Sequence, residues 1–224
     1  TDIAGIVKGA SRGEGLGNKF LSHIRQVDAI CQVVRCFEDE NITHVAGKVD
    51  PIADIETINL ELVLADLESV DKRIARVAKI AKTKDKDAVA ELAVLEKIKP
   101  VLEDGQLART IEFTDEELPI VKGLFLLTTK PMLYIANISE DDVAEGGHNQ
   151  YVQLVEEYAA KEDAEVVVIC ARVEEEVAEL EEEEKQVFLE EMGIETSGLD
   201  ILIQKAYHLL GLATYFTAGE QEVR

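Results

Sequence analysis

The stretch Pro131-Met-Leu-Tyr-Ile-Ala-Asn-Ile-Ser-Glu140 joins a short apolar run to a polar loop. Two other runs have a similar character, Asp28-Ala-Ile-Cys-Gln-Val-Val-Arg-Cys-Phe37 and Glu165-Val-Val-Val-Ile-Cys170. The run 28–37 is mostly apolar, as in a strand buried in a sheet. Amphipathic helical patterns separate the three runs, one of them over about 16–26 with Leu16, Phe20, Leu21 and Ile24 on a face. Strands alternating with helices predict an α/β fold built on a parallel sheet.

One segment breaks that rhythm. Leu60, Val63, Leu67, Val70, Ile74, Val77 and Ala81 recur at spacings of 3 and 4, a coiled-coil seam. Thr83-Lys-Asp-Lys-Asp87 is polar and suits a turn, and Ala88, Leu92, Leu95 and Leu102 supply a returning stripe. The prediction is an antiparallel α-helical coiled-coil hairpin inserted between two strands. Thr114-Asp-Glu-Glu117 is a capping-box pattern that opens a further helix. The acidic run 174–184 reads as a solvated helix face, with Leu180, Val187 and Leu189 on its buried side. Residues 198–212 read as a last amphipathic helix, with Leu199, Ile203, Tyr207 and Leu210 as its apolar stripe.

The 224 residues carry 23 Lys plus Arg against 46 Asp plus Glu, a net charge of −23. That balance argues against non-specific binding to nucleic acid by the chain as a whole, and no DNA sequence specificity is expected. A content of 46% hydrophobic and 31% charged residues excludes wholesale disorder. No apolar run reaches the roughly 20 residues that span a bilayer, so no membrane partner is expected. Cys31, Cys36 and Cys170 lack metal-ligand spacing and read as reduced thiols of a cytoplasmic protein. The chain opens on Thr1 without a Met, and both ends read as interrupted strands, so a fragment is expected.

Three short elements have chemical content. Asp2-Ile-Ala-Gly5 precedes a loop rich in glycine (Gly5, Gly9, Gly13, Gly15, Gly17). An Asp at a strand's carboxyl end can hold Mg²⁺, and a glycine amide there can reach a γ-phosphate. The same four residues equally suit an ordinary strand-to-loop turn. Asn137-Ile-Ser-Glu140 follows the strand 131–136, where nucleotide-binding P-loop proteins read the base. Most GTPases place Asn-Lys-x-Asp there, and its carboxylate accepts hydrogen bonds from guanine. Ile138 replaces the Lys and Glu140 the Asp, which undermines guanine selection. Cys170-Ala171 follows the third strand, where a small residue's amide can meet the base from the other side. Each pattern is weak alone. All three stand at the carboxyl ends of expected strands, where open α/β sheets bind ligands.

Between Lys72 and Lys86 the charge balance reverses. Lys72, Arg73, Arg76, Lys79, Lys82, Lys84 and Lys86 face a single Asp85 within that span. The cluster reads either as a solvated helix end or as an RNA-facing hairpin tip.

The run Asp2-Ile-Ala-Gly-Ile-Val-Lys-Gly-Ala-Ser-Arg-Gly-Glu-Gly-Leu-Gly-Asn-Lys-Phe-Leu21 resembles the switch II segment of the YchF/Obg-like ATPase family. Val34-Arg-Cys-Phe-Glu38, His44-Val-Ala-Gly-Lys48, Ala90-Glu-Leu-Ala-Val-Leu-Glu96 and Asn137-x-x-Glu140 resemble the same family. Tyr215-Phe-Thr-Ala-Gly219 and Glu222-Val-Arg224 are similar to the entry of its C-terminal TGS domain. The resemblance implies a partial P-loop NTPase-type domain, Mg²⁺ with ATP as cofactor, ATP preferred over GTP, and association with the ribosome or its RNA. It makes Asp2 the Mg²⁺-side acid, through water, and Gly5 the γ-phosphate-sensing amide. It places Asn137, Ile138, Glu140, Cys170 and Ala171 around adenine, Ile138 through its backbone.

Ile6 stands where Ras-like proteins put a water-orienting Gln, and an Ile cannot orient water. His44 is the family's candidate for that task; read alone it is a solvated loop histidine. The phosphate-cradling motif G-x-x-x-x-G-K-[ST] does not occur in these residues. The expected organisation is 1–50, switch II part of the nucleotide domain; 51–112, helical insertion; 113–212, base-binding part; and 213–224, start of the TGS domain. An Obg-type GTP-binding protein and a non-catalytic α/β adaptor with a coiled-coil arm are the alternatives.

Overall fold

The computed structural model describes residues 21, 23–42 and 47–215, and these fall into two compact units. Asp2, Gly5, Ile6, His44 and residues 216–224 lie outside the described residues.

The first unit takes the residues up to Ile30 together with Asp50–Pro131. Its main element is a hairpin of α1 (Pro51–Ala81) and α2 (Lys86–Glu103). Asp50 caps α1 by accepting from the Ala53 amide at 3.2 Å, and Pro51 occupies a first-turn position where no amide partner is needed. With 31 residues, α1 is about 46 Å long. The seam packs as its spacing requires. Val63, Val70 and Val77 are buried against Ala88, Leu95, Ile98 and Leu102, and Leu67, Ile74, Ala81 and Leu92 pack around them. Leu60 is the exception: it is exposed, so the seam starts at Val63. At the tip Lys84 takes a positive φ of 63°, and Asp85 caps α2 by accepting from Ala88 N at 2.8 Å.

Residues 113–131 belong to this helical unit rather than to the sheet. The physical reason is apolar packing: Phe113, Ile120, Val121, Leu124 and Leu126 join the hairpin core. Thr114 and Glu117 exchange both bonds of the capping box, at 2.8 and 3.3 Å. Helix α3 itself starts one residue later (Leu118–Leu124).

The second unit takes Cys31–Val49 and the residues from Met132 onward. Its sheet has the order β1 (Ile30–Arg35), β2 (Met132–Asn137), β3 (Glu165–Ile169). β2 pairs parallel with β3, Leu133 opposite Glu165 and Asn137 opposite Ile169. The Ile30 amide donates to Pro131 and the Cys36 amide to Asn137, so β1 runs the same way. Central β2 is buried from Met132 to Ala136, as its apolar run demands. β1 departs from the expectation of a fully buried strand. It stands at one side of the described sheet, with Gln32, Val34 and Cys36 buried but Cys31 and Val33 exposed.

Helices α4 (Glu140–Ala144), α5 (Gln150–Lys161), α6 (Ala171–Glu179), α7 (Glu182–Glu191) and α8 (Gly198–Leu209) complete the unit. The acidic run is divided: α6 stops at Glu179 and α7 begins at Glu182. On its expected buried side, Leu189 is buried but Val187 is exposed. The expected stripe of α8 is also reversed, because Leu199, Ile203, Tyr207 and Leu210 are exposed. A clamp sets the rotation of α8. Glu174 accepts from the Gly198 and Leu199 amides at 2.7 and 3.2 Å, and Lys205 donates to the Val166 carbonyl at 3.0 Å.

Candidate base-binding site

The carboxyl ends of β2 and β3 bring together residues that the sequence holds 34 positions apart. Asn137 Oδ1 accepts from the Ala171 amide at 2.9 Å. One residue on, the Ile138 amide donates to the Ile169 carbonyl at 2.9 Å. Parallel pairing in register places both strand ends at one level, so the two loops leave side by side.

The side chains then diverge. Ile138 is buried, and a Cβ added to Gly147 would lie 3.7 Å from its Cδ1, so its side chain is held in the core and away from a ligand. Ser139 turns the chain into α4 through a capping box. It accepts from the Asp142 amide at 3.2 Å and donates its hydroxyl to Asp142 Oδ2 at 2.6 Å. Burial pushes the Asp142 carboxyl up, but hydrogen bonds from Ser139 and Asn149 outweigh it and hold the group below its ordinary range. Glu140 opens α4 with its side chain partly exposed, and Arg172 Nε lies 3.3 Å from its Oε1. Cys170 is buried and Ala171 is exposed; the Ala171 amide, expected to be free for a base, is given to Asn137 instead.

The structure therefore assembles Asn137, Ile138, Glu140, Cys170 and Ala171 at one end of the sheet. It adds two residues that sequence reasoning missed. Arg172 pairs with Glu140, and its one signal was a lone cation directly after Cys170-Ala171. Asn149 donates to the Cys36 carbonyl at 2.7 Å and caps α5 by accepting from Tyr151 and Val152, tying the end of β1 to the same edge. Its signal was the turn sequence Gly146-Gly-His-Asn149. Among the described residues no group of three metal-ligating side chains could hold an ion. No helix there is long and apolar enough to cross a membrane.

In the hairpin, two of the seven clustered cations are committed to partners: Lys72 pairs with Glu68 and Arg73 with Glu91. Arg76, Lys79, Lys82, Lys84 and Lys86 are exposed and form no ion pair among the described residues.

No family model matches the chain. Individual relatives do. It is 69% identical over 224 residues to the "Ribosome-binding ATPase YchF" of Bacillus subtilis strain 168, and 54% identical over 223 residues to the protein of that name from Escherichia coli O157:H7. Each match takes in 100% of this chain and 61% of the relative, so the chain spans less than two thirds of their length. The solved structure of the Schizosaccharomyces pombe YchF GTPase is similar with a TM-score of 0.83 and 38% identity, over 97% of this chain and 59% of that one.

Proposed function

The chain belongs to the YchF/Obg-like family, and from that premise we propose that it supplies the base-reading loops and helical arm of a ribosome-associated protein that binds and hydrolyses ATP. One observation carries this reading. The Asn137–Ala171 hydrogen bond closes the two loops beside Glu140, at the carboxyl end of the sheet where α/β folds take ligands. The base would lie over Asn137, with the Ile138 and Ala171 backbones on either side and the Glu140 carboxylate facing its amino group. Cys170 packs beneath. Without a Lys at position 138 and with a carboxylate one methylene longer than Asp, the loop favours adenine, and GTP is the weaker ligand.

The likeness of the run from Asp2 to Leu21 to the family's switch II segment makes Asp2 the proposed metal-side acid, through water, with Gly5 at the γ-phosphate. His44 is proposed to orient the attacking water, since Ile6 has no group to do so. The partner proposed for the arm is ribosomal RNA, met by the exposed cations of the tip. A GTP-preferring reading is kept as second, because the Schizosaccharomyces pombe relative bears the name GTPase.

Calorimetry with ATP and GTP on a chain that spans the family's full length and carries these residues tests the proposal. Tighter binding of ATP, weakened by Glu140→Ala, is expected; tighter binding of GTP overturns the adenine reading. For His44, the expected result of His44→Ala is a lower kcat with nucleotide affinity nearly unchanged.

A further inference from the structure

We propose that Arg172 is a specificity-determining residue, which biases the site against guanine by engaging the Glu140 carboxylate. The inference rests on the reading of Asn137, Glu140 and Ala171 as base contacts. Arg172 follows Ala171 at the start of α6, and its Nε lies 3.3 Å from Glu140 Oε1. Loops after two different strands thus meet through one ion pair, next to the Asn137–Ala171 bond.

The chemistry of the two purines differs at this point. A carboxylate that reads guanine turns both oxygens toward the ring, one for N1–H and one for the N2 amino group. Here that rotation gives up, or shares, the contact with Arg172. Adenine offers one amino group beside a bare ring nitrogen, so it asks for one acceptor and one donor. Glu140 Oε2 supplies the acceptor, and a guanidinium, with five N–H groups, has donors to spare. The pair Glu140–Arg172 is thus matched to adenine, whereas Glu140 alone would have two oxygens free for guanine. Arg172 is largely exposed, with 71% of its side chain accessible, so its worth lies in this competition rather than in stability.

The test compares Kd values for ATP and GTP by calorimetry. It uses the full-length protein, Arg172→Ala, Glu140→Gln and the double variant. Arg172→Ala is expected to lower the GTP-to-ATP Kd ratio about tenfold, the low end for one bidentate side chain–base contact. In the Glu140→Gln background the same change should leave the ratio unmoved. Equal weakening of both nucleotides would mean that Arg172 acts on the phosphates, and this or an unchanged ratio overturns the proposal. The two failures are separable. If Glu140→Gln alters the ratio but Arg172→Ala does not, only the role of Arg172 falls. If Glu140→Gln alters neither Kd, the base-site reading falls and this inference with it.

Discussion

Asp66 and Thr128, 62 residues apart, are joined by two hydrogen bonds of 2.7 Å, from the Thr128 amide and hydroxyl to Asp66 Oδ2. Oδ1 accepts from the Leu127 amide at 3.0 Å and from Arg25 Nη1 at 2.9 Å. Asp66 is fully buried, and the Leu127 amide and the two Thr128 donors depend on it. Asp66→Ala would strand the Leu127 amide and both Thr128 donors, while the Arg25 guanidinium keeps the Phe125 and Ala65 carbonyls and the Ser69 hydroxyl; the loss should cost the helical unit about 3 kcal/mol. Asp66→Asn keeps the shape but replaces one acceptor with a donor that faces other donors, and should cost less than Ala but still more than 1 kcal/mol or so. Urea unfolding of the two variants checks both values. Wild-type stability in Asp66→Ala would show that water replaces the carboxylate.

Gly198 meets Ile169 in the sheet unit. A Cβ there would stand 2.5 Å from Ile169 Cγ2 and 2.9 Å from Glu174 Oε1. The β-branched Ile169 has little freedom to move, so Gly198→Ala should push α8 off β3 and cost about 1–3 kcal/mol. Gly123→Ala is the control. Beyond its own helix backbone and chain neighbours, nothing lies within 4 Å of the added Cβ, and its site in α3 should gain up to about 1 kcal/mol. Thermal melts of the two variants should move in opposite directions.

Burial pushes the Cys36 thiol up, and the nearby Asp142 carboxylate adds to this, to about 12 from an ordinary 9.0. The unfolded chain therefore loses this proton first. Between pH 9 and 12 the folded state binds more protons than the unfolded one, so stability falls as pH rises. The fall is up to about 1.4 kcal/mol per pH unit for one group. Cys36→Ala lacks the thiol, so its stability should decline less steeply than wild type above pH 9 in urea titrations. Parallel declines would show that the thiol ionises as readily in the folded chain.

At the hairpin tip, Lys79, Lys82 and Lys84 are exposed and unpaired among the described residues. Changing all three to Gln should weaken association with ribosomes or RNA. The slope of log K against log salt should drop by about 2–3, one phosphate contact per lysine. Nucleotide hydrolysis should be unaffected. An unchanged affinity and slope would make the tip a solvated helix end.

Local pattern was enough for the elements whose physics is local. The 3-and-4 spacing from Val63 to Ala81 determined a hairpin seam, because one face of a helix repeats at that period. The apolar run 132–136 determined a central strand, because both of its faces are buried. The order of Asn137, Glu140 and Ala171 after two such strands located the candidate site. Wherever a distant partner sets the outcome, pattern did not suffice. The stripe Leu199, Ile203, Tyr207, Leu210 has a helical period, but period does not say which face is covered. The clamps from Glu174 and Lys205 turn that stripe outward. Phe113, Ile120 and Leu126 are apolar and would suit either unit, and the hairpin core takes them. Asp66 reads as one more polar residue beside a heptad seam, and Arg172 as one more surface cation. Their partners are Thr128 and Glu140, which only the folded chain brings within reach.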